Sequence, residues 1–194
     1  MEFEIIEEFD EAGKSDDLRE TGVYDVVLER VALTTNKSGS TSMSMTVSQP
    51  SAKYDKTFYQ GVIQNVDGSN GFEYKRLLMP LVKVCGVKAL TTGKIEVDAK
   101  NGKKEITIFT QFEPTPIKVA IQKTWSDWKS DWEAKVVAVF ATSGLSATEL
   151  KENISTPKQI DYYLGEKFVD KGPKNGAKPQ AKNQIDIADE DMPF

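Results

Sequence analysis

Across residues 22–33 apolar side chains fall on both faces of a β-branched run that includes Val23, Val26, Val27 and Val31. This pattern predicts a long strand that bends and serves both halves of a small barrel. A turn signal follows at Asn36-Lys37-Ser38-Gly39. Met43, Met45 and Val47 then alternate with Ser42, Ser44, Thr46 and Ser48, the period of two expected of a half-buried strand. A third strand is expected over residues 57–64, with Phe58 and Tyr59 on opposite faces.

The period then lengthens. Leu77, Leu81 and Cys85 recur at i, i+4 and i+8, which predicts a helix, with Gly86 suited to its C′ position. Pro80 inside it should kink the helix or restart it as a first-turn proline. Three further β signals follow. Residues 94–99 and 105–109 flank Asn101-Gly102, a hairpin dipeptide, and residues 117–123 are expected to pair with 132–141. After Gly144 the pattern changes over residues 146–153, and Thr156-Pro157 reads as the N-cap and first helical position of a short helix through Tyr163. From 171 to 184 no apolar residue is larger than Ala, the composition of a flexible linker.

Three long strands, a helix and a closing hairpin follow the order of an OB-fold, here with an extra hairpin after the helix. The expected architecture is therefore mainly β: an OB-fold-like five-stranded barrel with one central helix, the extra hairpin, a short C-terminal helix and a disordered acidic tail. An immunoglobulin-like sandwich is the competing arrangement, disfavoured by the central helix and the small number of strands. The expected divisions are an acidic arm over 1–20, the OB-fold domain over 21–169, and a linker with an acidic tip over 170–194.

Composition narrows the chemistry. The 194 residues include no histidine and a single cysteine, Cys85. An intrachain disulfide, the usual Cys/His zinc sites and every histidine-based nucleophilic constellation are thereby excluded. No P-loop or Gly-x-Gly-x-x-Gly occurs, so no enzyme, cofactor or metal site is expected. No stretch approaches the ~20 apolar residues of a membrane span, and the acidic start does not read as a signal peptide. The net charge of −5 hides an uneven distribution: residues 1–20 carry −7, residues 170–194 carry −1, and the span between them carries +3.

Two internal clusters combine cations with aromatic rings, the combination that holds phosphates and stacks bases. All three tryptophans fall within eight positions, in Lys123-Thr-Trp125-Ser-Asp-Trp128-Lys129-Ser-Asp-Trp132. Trp125 and Trp128, with Lys123, Lys129 and Lys135, are expected to contact DNA, whereas Trp132, inside the strand, is expected to lid the barrel or pack against the other tryptophans. The second cluster is Lys53-Tyr54-Asp-Lys56-Thr-Phe58-Tyr59, where Lys53, Tyr54, Lys56 and Tyr59 are candidates and Phe58 belongs to the core. Lys37, Lys103, Lys104 and Lys118 could extend the phosphate track.

The chain finishes on Asp189-Glu190-Asp191-Met192-Pro193-Phe194. Acids for a basic rim and a terminal ring make this a tethered ligand for a partner protein. These six residues resemble the acidic tip of bacterial single-stranded-DNA-binding proteins, which ends in Asp-Asp-Asp-Ile-Pro-Phe, with Met192 in place of the usual isoleucine. The combination of a diverged OB-fold body with this tail looks more like the bacteriophage-encoded members of that class. The resemblance implies a non-enzymatic protein of the bacterial or phage-infected cytoplasm. It would bind single-stranded DNA without regard to sequence in replication, recombination or repair, and recruit processing enzymes through the tip. Homo-oligomerisation is left open. The alternative is an OB-like interaction adaptor that binds protein or oligosaccharide instead of DNA.

Overall fold

The computed structural model describes residues 18–49, 55–99, 102–127 and 129–173. Lys53, Tyr54, Trp128 and the tip residues 189–194 lie outside the described residues, as do 1–17 of the acidic arm.

Seven strands form one antiparallel sheet: β1 (Gly22–Thr35), β2 (Thr41–Ser48), β3 (Lys56–Gln64), β4 (Thr92–Ala99), β5 (Gly102–Phe109), β6 (Thr115–Ser126) and β7 (Asp131–Phe140). The run that is apolar on both faces becomes β1, which organises the rest. It pairs with β6 through Gly22–Leu28 and with β2 from Val27 to Thr35, with a register shift between Leu28 and Arg30. Its far end also meets β5 at Ala32 and Leu33. The extra hairpin is β4–β5, in which Ala99 pairs with Gly102. Gly102 has φ +106°, a conformation that a side chain would strain.

Between β3 and β4 a π-helical turn, Tyr74–Leu78, runs into α1 (Met79–Val84). Pro80 sits in the first turn of α1, where a missing N–H costs no helical bond. Gly86 follows with φ +67°, as a C′ glycine should. Gly71 admits this connection because a Cβ there would stand 2.3 Å from the Val62 carbonyl oxygen.

The main core gathers Leu28, Val31, Met43, Met45 and Val47 beneath Leu77, Leu78 and Leu81, with Ile117, Val119, Ile121 and Val136 from the last hairpin. A smaller cluster of Ala120, Phe140, Ile160 and Phe168 covers the other face of β6 and β7. Ile160 and Tyr163 bring α3 (Gln159–Leu164) to it, and α2 (Ala147–Lys151) precedes that helix. Thr156 does not cap α3. The helix begins two residues beyond Pro157, because the Glu149 carboxylate on α2 accepts the N–H groups of Lys158 and Gln159 at 2.7 and 3.0 Å.

The expected closed five-stranded barrel is not formed. Strands β3 and β7 face one another without sharing a ladder. Arg76, from the π-helical turn, occupies that seam. Its guanidinium donates to the Val137 and Val136 carbonyls at 3.1 and 3.3 Å and to Gln60 Oε1 on β3 at 3.5 Å. The same group is paired with Glu73 at 2.6 Å. A side chain thus takes carbonyls that a neighbouring strand would otherwise use.

Candidate nucleic-acid interface

The outer face of the first three strands follows from their register. Thr46 lies opposite Arg30 on β1 and Thr57 on β3, and Ser44 lies opposite Ala32 and Tyr59. Short side chains therefore line the middle strand, with the Thr46 and Thr57 hydroxyls 3.0 Å apart. Tyr59 stands 79% exposed beside them, while Phe58 turns the other way into the core. Ser44 and Thr46 are buried as well as Met43 and Met45, so β2 is covered on both faces and not half-buried.

The β6–β7 hairpin supplies a second aromatic group. Its register pairs Lys123 with Ala134 and Trp125 with Trp132, placing all four on one face. The two indoles meet edge to face, 5.7 Å between centroids at 80°. Lys123 Nζ lies 5.8 Å from the centroid of Trp132. Trp125 stands within β6 and not in the turn, because the strand continues to Ser126. Both indoles are half-buried. Trp132 thus packs against another tryptophan, one of the arrangements expected of it, and Trp125, expected to face DNA from the turn, is its partner.

Where β3 and β7 face each other they enclose a groove of about 450 Å³. Lys56, Thr57, Phe58 and Tyr59 line it from β3, and Lys123, Lys129, Trp132, Glu133, Ala134 and Lys135 from the hairpin. Arg19 and Glu20 complete the lining. Five cations against two carboxylates leave a net charge of +3. Glu133 is shared by Lys129 and by Lys135, the latter at 3.4 Å. The Lys129 hydrogen bond, reinforced by the charges of Lys129 and Lys135 and opposed by burial, holds the Glu133 carboxyl below its usual range. Lys123 Nζ meets both oxygens of Glu20 at 3.1 Å. Lys56 makes no ion pair among the described residues, and its Nζ lies 6.0 Å from the Phe58 ring centroid.

Of the lysines expected to bind phosphate, Lys56, Lys123, Lys129 and Lys135 converge on this groove, and four others do not. Lys37 is exposed in the β1–β2 turn. Lys118 is paired with Asp25 at 2.6 Å across the β1–β6 ladder. Lys103 is 3.6 Å from Glu96 on the β4–β5 hairpin, where Lys104 is also exposed. Arg19, in the groove, and Arg30, on the outer face, are cations that sequence reasoning missed. No local signal distinguishes them: Arg30 is placed by strand pairing and Arg19 by the burial of Leu18 beside it.

Cys85 is half-buried, and burial pushes its thiol up to about 11, which leaves it unreactive. Among the described residues no group of three acidic or cysteine side chains converges to hold a metal ion. No helix among them is long and apolar enough to cross a membrane. No protein-family model matches the chain, and no curated protein matches it.

Proposed function

We propose that this chain binds single-stranded nucleic acid, in the first place single-stranded DNA, without sequence preference and without catalysis. The observation that carries the reading is the groove between β3 and β7, where a net +3 lining lies beside the free ring of Tyr59 and the Trp132 indole. Phosphates need mobile cations and bases need flat apolar faces, and both are within one groove. The architecture is read as OB-like. Strands β1, β2, β3, β6 and β7 correspond to the five barrel strands, β4–β5 is an insertion, and the seam held by Arg76 is left open.

The tip residues Asp189, Glu190, Asp191, Met192, Pro193 and Phe194 are proposed to recruit replication, recombination or repair proteins. Phe194 would enter an apolar pocket and the acids a basic rim. A synthetic peptide of residues 184–194, with and without Phe194, tests this on a lysate of the native host. Retention of the same proteins by both peptides rules Phe194 out as the anchor.

The binding claim is tested by titrating the full chain with oligo-dT while following tryptophan fluorescence. Quenching that salt reverses, with weaker binding to a duplex of equal length, is the expected result. No binding to oligo-dT, with binding to an oligosaccharide or a protein in its place, favours an adaptor.

A further inference from the structure

Phe72 leaves 76% of its surface in solvent on a backbone that is fixed on both sides. Ahead of it, the Gly71 N–H donates to the Ile63 carbonyl at 2.8 Å, and the missing Cβ lets the chain lie against Val62 of β3. Behind it, Glu73 is buried and its carboxylate is paired with Arg76. A ring presented this way needs little further ordering to receive a ligand. Single exposed apolar residues are common on protein surfaces, so the position of this one decides its meaning.

The donors of Arg76 are occupied: Nε and Nη2 on Glu73, Nη1 on the Val137 carbonyl, and Nη2 also on the Val136 carbonyl and Gln60. What remains of the guanidinium is its face, and its central carbon lies 5.8 Å from the centroid of the Phe72 ring. Gln60 and Val136 directly follow Tyr59 and Lys135, the last groove-lining positions on β3 and β7. Arg76 thus closes that end of the groove, and Phe72 stands against it. Strand β3 bulges at the same point, since Ser44 pairs with Tyr59 but Ser42 with Val62. Gly61 within the bulge makes room for Glu73, whose Cγ would stand 3.1 Å from a Cβ there.

We propose that the open face of Phe72 is a base-stacking subsite at the end of the groove. A strand whose phosphates sit on the groove lysines lays a further base on this ring, which Arg76 backs from the other side. The subsite takes a nucleobase and no phosphate, because Arg76 has no donor left to give. Every base has a π-face, so the contact is indifferent to sequence. The proposal rests on the reading of the groove as a single-strand site and adds a length requirement to it. Strands too short to pass Arg76 bind through the groove alone.

The test titrates fluorescein-labelled oligo-dT of increasing length with the full chain and with its Phe72→Ala variant, read by anisotropy. The two proteins should bind strands of about 4 nucleotides equally, and the variant should bind strands of about 12 nucleotides about tenfold less tightly, the effect of one lost stack. That deficit should be the same at ~50 and ~300 mM salt, because no phosphate contact is removed. Phe72→Trp should restore binding and Phe72→Leu should not, which separates a flat ring from apolar bulk. Equal affinity at every length overturns the subsite, as does a loss that extends to the short strands or that Phe72→Leu repairs. In those cases binding by the unaltered chain leaves the groove reading standing. If the unaltered chain binds no oligo-dT at ~50 mM salt, the groove reading falls and the subsite with it.

Discussion

Arg76 serves two strands and a buried acid at once. Its guanidinium satisfies the Val136 and Val137 carbonyls and holds Glu73, which is 8% exposed. Arg76→Ala would leave that carboxylate and two strand carbonyls unpaired together. The expected loss is ~2–4 kcal/mol in urea unfolding, and Arg76→Lys should restore less than half, because an ammonium cannot reproduce the planar fork. A change within about 0.5 kcal/mol for Arg76→Ala would mean that the seam does not depend on it. Tyr59 is the opposite case. At 79% exposure, Tyr59→Ala should leave stability within about 0.5 kcal/mol while weakening oligo-dT binding by ~1–3 kcal/mol. Trp132 is a poorer probe, since its removal also strips Trp125 of its edge-to-face partner. A Tyr59→Ala variant that binds at full strength would move stacking away from the β3 face.

At the scale of elements, α2 and α3 depend on one carboxylate. Ser146 and Glu149 form a capping box, each accepting the other's backbone N–H, and Glu149 also receives Lys158 and Gln159. The N–H of Ser146 is the largest cause of a carboxyl lowered to about 2, with Gln159 and Lys158 adding to it against burial. A folded-state value below the unfolded one stabilises above the unfolded value of 4.5 and is lost as pH falls toward 2. Protection of the Lys158 and Gln159 amides from hydrogen exchange, relative to their intrinsic rates, should therefore fall over that window, and Glu149→Gln should remove this pH dependence. Protection factors that stay constant across the window would contradict the capping account. Nothing local in the sequence shows that the Glu149 carboxylate reaches a second helix, so Thr156-Pro157 pointed to the wrong start. The strands were legible for a simpler reason: β2 and β6 alternate large apolar residues that must face one core. The open seam was not legible, because it depends on β3, β7 and Arg76 meeting from distant parts of the chain. The groove was half legible. Lys118 and Lys123 look alike in sequence, and only the register, with Asp25 opposite Lys118, separates a structural ion pair from a groove cation.

For the whole molecule, the two ends of the described chain converge on the same strand. Lys171 exchanges backbone hydrogen bonds with β6, donating to the Lys123 carbonyl at 2.8 Å and accepting from Trp125 at 2.8 Å. Thr21 donates to Asp170 at 2.5 Å. Contacts thus extend beyond the span 21–169 in both directions, and both acidic regions of the sequence connect to the fold beside Lys123. Removing residues 189–194 should leave oligo-dT affinity within twofold at ~300 mM salt, where charge competition is screened, while abolishing capture of host proteins. Loss of DNA binding at that salt would assign the tip a direct part in the groove. The central claim is that a cationic groove holds phosphates, and its salt dependence tests that most directly. Oligo-dT affinity of the full chain should be measured from about 50 to 500 mM salt. Roughly three to five phosphates neutralised by the groove cations predict a slope of log K against log salt of about −2 to −3.5. A slope near zero, or no binding even at the lowest salt, would contradict it.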